Sequence, residues 1–146
     1  GKRVECMSIK YRADAEKQII FVVWDGTVSA DAWFEHIERL IADPLWPSIS
    51  LMLVDLNSAR DITSIEEAEI EHAVAVFSSV PEPLSKKRVG IVAGNAFWKS
   101  RRFGELVSPF GPSVVVFNDL STACVYLGID PAEALKSIQG LRADMK

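Results

Sequence analysis

From Gln18 to Trp24 apolar and mostly β-branched residues follow one another almost without interruption, the pattern of a strand covered on both faces. Before it, Val4 to Tyr11 roughly alternates apolar and polar residues, as a half-exposed strand does, and the short polar break at Asp14 predicts an antiparallel hairpin. Asp25 and Gly26 then read as a turn into a helix. Ser29 stands as its N-cap, and Ala30, Trp33, Phe34, Ile37, Leu40 and Ile41 recur at helical spacing until Pro44. Ser50 to Leu56 predicts another buried strand, and Asn57 to Thr63 a polar connection. Ser64 with Glu67 three residues on is a capping signature for a second helix. Its inner stripe is Ile65, Ala68, Ala73, Val76, Phe77 and Val80, and Pro81 and Pro83 stop it. A strand over Lys87 to Ala93 follows, then a turn at Gly94 and Asn95. A third helix from Ala96 to Ser108 turns Phe97, Phe103, Leu106 and Val107 inward and ends at Pro109, Gly111 and Pro112. Ser113 to Phe117 reads as the last strand, and Asn118 as the cap of a helix through Leu127. Asp130 and Pro131 open a final helix to about Gln139, before Gly140.

After the opening hairpin, strands and helices alternate. That order predicts an α/β fold: one domain over residues 1–146 with a mixed, mostly parallel five-stranded sheet and flanking helices. No internal repeat or linker interrupts it. The composition agrees, since 146 residues with 49% apolar and 25% charged side chains can bury a sizeable core. A formal charge of -4 argues against a general affinity for nucleic acid. The apolar runs are strand-sized, so no membrane span is expected, and residues 1–12 lack the continuous apolar segment of a secretory signal. Cys6 and Cys124 read as free thiols in a reducing, cytoplasmic setting.

Candidate chemistry is sparse. His36 and His72 fall on different helices outside any metal-binding spacing, so no metal site is expected, and both read as structural or surface residues. No nucleotide-binding or hydrolase motif is present, and no cofactor is expected. Asp25, Gly26 and Thr27 resemble the end of the motif that marks haloacid-dehalogenase-type phosphatases, but Val23 stands where that family has its nucleophilic Asp.

Two loci remain. Asp55, Asn57, Ser58, Arg60, Thr63 and Ser64 lie where a buried strand hands over to a helix, the edge at which open α/β sheets usually bind ligands. A helix N-terminus there would favour an anion, although Ser64 can equally serve only as a cap. The second locus is Asn95, Trp98, Lys99 and Arg102, where cationic and aromatic side chains could hold an acidic group. With Lys86, Lys87 and Arg88 it forms the densest positive region of the chain.

Leu51 to Leu56 followed by Ile62, Thr63 and Ser64, Val89 to Val92 running through Gly94 to Trp98, and Val114 to Phe117 followed by Asp119, Leu120, Ala123 and Leu127 together resemble the SpoIIAA-like proteins. These are bacterial relatives of STAS and SEC14-type (CRAL-TRIO) domains, and the likeness covers about residues 4–128. In anti-sigma-factor antagonists of that group a Ser opening the helix is phosphorylated, and Ser64, or less closely Thr63, matches it. Here the Asp-Ser-Ser-Gly run is replaced by Thr63, Ser64, Ile65 and Glu66. The resemblance implies a non-catalytic regulatory or protein-interaction module with a protein partner. The alternative it implies is a small domain binding a lipid or another acidic amphipathic ligand. An enzyme would have to use Asp55, Asp61 and His72. Trp46 and Phe110 are candidates for a homodimer contact.

Overall fold

The computed structural model describes residues 8–80 and 84–145. Val4 to Met7, Cys6 among them, and the two prolines at 81 and 83 lie outside these. The sheet has five strands, β1 (Ile9–Asp14), β2 (Ile19–Thr27), β3 (Leu51–Asp61), β4 (Arg88–Val92) and β5 (Ser113–Phe117). They lie side by side in chain order, with β1 antiparallel to β2 and the other three pairings parallel. Five helices accompany them: α1 (Ala30–Ala42), α2 (Glu67–Ser79), α3 (Phe97–Val107), α4 (Leu120–Leu127) and α5 (Pro131–Asp144).

Each crossover from β2 to β5 steps one strand in the same direction, so connections of one hand deposit their helices on one face. Accordingly α1, α2 and α3 share a core with Val22, Trp24, Met52, Leu56, Val89 and Ile91. Helices α4 and α5 close the opposite face over Ile19, Phe21, Val23, Leu53 and Val92. Because the strand order never reverses, these strands form no topological switch point, and the crevice such a reversal opens is missing.

The structure moves several boundaries. Strand β2 runs on through Asp25 and Gly26 to Thr27, and β3 continues to Asp61. Their extensions pair with each other past two register shifts. Polar, turn-forming residues read as a break, yet the ladder and the burial of Ala59 hold them in the strand. Helix α2 starts later than Ser64, with Glu66 as N-cap and a capping box to Glu69, and its inner stripe is Ile70, Ala73, Val74 and Phe77. Asp119, rather than Asn118, caps α4 and bonds Thr122. Helix α5 passes through Gly140 because Leu141 and Met145 are buried on the same side. Ser29 and the Asp130-Pro131 pair cap their helices as the sequence indicates.

Lys87 and Trp46 also depart from expectation. Trp46 is buried, so it offers no dimer contact, and Lys87 leaves the exposed cationic patch to lie inside the fold. Its ammonium donates to the carbonyls of Trp46 and Ile49, at 2.7 and 2.5 Å, and sits 4.1 Å from the Trp46 ring centre. Lysine thus ties the segment after α1 to the start of β4. Lys87→Met takes this donor from the Ile49 carbonyl and leaves the Trp46 carbonyl only its bond from the Ile49 N–H, and is expected to lower stability by about 2 kcal/mol, read from the urea-unfolding midpoint.

Candidate functional site

The two predicted loci form one region at the carboxyl ends of β3 and β4. Gly94, with φ of +54°, turns the chain out of β4 so closely over β3 that an added Cβ would stand 3.1 Å from the Asn57 Cα and 3.2 Å from the Leu56 carbonyl oxygen. Only glycine suits both the left-handed conformation and the contact. Asn95 is exposed on this turn. Further along α3, the Lys99 ammonium donates to the Ile62 carbonyl at 2.8 Å, and Arg102 pairs with Glu67 at the start of α2 at 2.7 Å. Arg102 also meets Glu105 at 3.4 Å, so its charge is answered within the protein.

Between β3 and α2 the chain makes a tight turn. The Asp61 carboxylate accepts from the Thr63 N–H at 2.9 Å and from its hydroxyl at 2.7 Å, which hold the Asp61 pKa below its ordinary value. Ile65 is buried and its N–H bonds the Ile62 carbonyl. Ser64 is therefore an exposed turn residue ahead of the α2 cap. Its hydroxyl accepts instead from the Ala30 N–H in the first turn of α1, at 3.2 Å. Ser58 and Arg60 stay in the extended part of β3, Arg60 exposed.

Asp55 does not join this region. It points to the other face of the sheet, where it pairs with Arg142 of α5 at 2.9 Å and accepts from the Asn57 N–H at 2.8 Å. His72 is exposed, with its ring edge-on to Phe34. Asp55, Asp61 and His72 thus make no acid–base constellation.

Beneath the region lies what sequence reading missed. A cavity of about 80 Å³ separates the sheet from α1, α2 and α3. Trp24, Trp33, Phe77 and Phe103 are among its walls, and Val54, in the middle strand, is only half-buried where it lines the space. Its polar lining consists of His36, Ser100 and Lys99. Burial, reinforced by the nearby Arg39 charge, pushes the His36 pKa down to about 3, so this imidazole is neutral. It meets the Tyr11 ring edge at 5.7 Å and makes no hydrogen bond with the described residues. A lone His within an apolar stripe was the available signal, and its period marked it only as core.

No family model matches the chain, and neither a curated protein nor a solved structure does.

Two outcomes test this geometry. Gly94→Ala is expected to cost about 2 kcal/mol in urea unfolding, because the φ and the Asn57 contact act together. For His36, the unfolded chain has a pKa of about 6.5. Between that value and the folded one the unfolded state binds the extra proton, so this part of the stability is present above about pH 6.5 and is lost toward pH 3. Urea unfolding at pH 7 and pH 5 should show the native chain losing about 2 kcal/mol more than His36→Leu.

Proposed function

We propose that the chain is a non-catalytic binding domain whose ligand is a small amphipathic acid seated between the sheet and the three-helix layer. The carrying observation is the cavity itself: apolar walls, a neutral imidazole without a hydrogen-bond partner among the described residues, and a lysine at its rim. Ligand sites have this composition, mostly apolar with a few placed polar groups. Lys99 uses one donor on the Ile62 carbonyl and retains others for a carboxylate. The volume, about 80 Å³, is roughly half of the 150 Å³ that accommodates benzene in an engineered cavity. A short branched tail is the size this space takes. The sequence resemblance to SEC14-type domains implies the same kind of ligand as its alternative reading.

Isovalerate and 3-methylbutanol, whose branched tail matches the space, test it, with Trp24 and Trp33 as built-in fluorophores. Saturable changes in tryptophan emission are expected with both. Lys99→Met should weaken isovalerate about tenfold while leaving 3-methylbutanol nearly unchanged, and Ser100→Leu should block both by filling the space. Unsaturable or absent changes in the native chain refute the reading.

Trp98 supports a second reading, the STAS-like protein-interaction module. It is 75% exposed, beside Phe97 and within 6.0 Å of the Arg101 guanidinium, a pairing typical of interface hot spots. On this reading Trp98→Ala abolishes capture of a partner that the native chain retains, and Ser64→Asp, at the mouth of α1, alters it.

A further inference from the structure

We propose that strand β5 is a dimerisation edge, through which two copies of this chain join their sheets antiparallel about a two-fold axis at Val115. Strand β5 is a terminal strand, and among the described residues nothing pairs with its outer side. The Ser113 N–H bonds the Lys87 carbonyl and the Phe117 carbonyl accepts from the Ala93 N–H, so residues 113, 115 and 117 face β4. The N–H and C=O groups of Val114 and Val116 therefore point outward, symmetric about Val115. A second β5 laid antiparallel places Val114 opposite Val116 of the other copy, and the reverse. Each such pair exchanges two hydrogen bonds, and the two Val115 residues meet between them in the close, non-bonded position.

The two edges of the sheet are treated differently. Strand β1 carries Lys10, Arg12 and Asp14, the charges that keep an edge from pairing. Strand β5 reads Ser-Val-Val-Val-Phe, without charge, proline or register shift, and Val115 is 36% exposed on the α4 side. A groove of about 480 Å³ runs along it, walled by α3 through Phe97, Arg101, Gly104 and Glu105. Gly104 keeps this wall low over Val114. Arg101 and Glu105, 3.4 Å apart and one turn from each other, make the wall self-complementary. Antiparallel α3 helices bring each Arg101 toward Glu105 of the other copy, the reciprocity an isologous contact requires. With β1 guarded, assembly closes at two.

Sedimentation velocity across a concentration series tests the proposal, with a dimer expected for the native chain. Val116→Pro removes an N–H that bonds nothing among the described residues of one copy, and Val115→Lys sets two ammonium groups against each other. Each is expected to raise the dissociation constant at least about tenfold with an unchanged far-UV circular dichroism spectrum. Arg101→Glu should weaken the dimer and Arg101→Glu with Glu105→Arg restore it. Amide exchange at Val114 and Val116 gives an independent reading, because protection there rises with concentration only if a second strand covers them. A monomer throughout the series overturns the proposal, as does a dimer that folded Val115→Lys leaves intact.

Discussion

The direction in which the sheet winds governs the rest of the molecule. With β2 to β5 laid down in chain order, three crossover helices crowd one face, and the other is left to α4 and α5, which follow the last strand. Three helices over a twisted sheet must splay, and large rings fill the space between. Trp33 touches Trp24 and Phe103, and Phe77 touches Phe103 and Trp46, all at ring distances of 5.7 to 6.1 Å. Rings meeting edge-on or offset leave gaps that branched aliphatic side chains close more readily. The interior space beside His36 is walled by Trp24, Trp33, Phe77 and Phe103.

The same winding bears on the rim. A sheet whose order reverses binds ligands where helices on opposite faces part. Here the polar rim arises from a different device, the long arm of β2 and β3 beyond Val92, against which Gly94 folds and Lys99 reaches across. At this rim Arg102 is matched by Glu67, while Lys99 donates to the Ile62 carbonyl and lies in the field of Asp61. The lysine that touches both the rim and the interior therefore carries more weight than the number of basic residues suggests.

Much of the layout was legible because the signals were local. Ser29, Asp130 and Pro131 cap helices through their own side chains or ring, and Ser113 to Phe117 is apolar enough to be a strand anywhere. What escaped reading depends on partners distant in sequence. Asn57, Ser58 and Asp61 are turn formers in a stretch that β2 holds extended, and Ser64 looks like a cap although its hydroxyl serves a helix 34 residues away. Lys87 reads as one of three surface cations and is buried because carbonyls 38 and 41 residues back receive it. His36 shares the period of its apolar neighbours, so nothing local separated a ring facing an interior space from one packed against side chains.

The pairing of Asp55 with Arg142 joins groups 87 residues apart and fastens the middle strand to the last helix. During synthesis, Ile19, Phe21 and Val23 emerge early, yet their cover, Ala134, Ile138 and Leu141, comes only with α5. A nascent chain therefore carries a greasy, half-dressed sheet until α5 has emerged, and in that interval the bare face is open to chaperones or to aggregation.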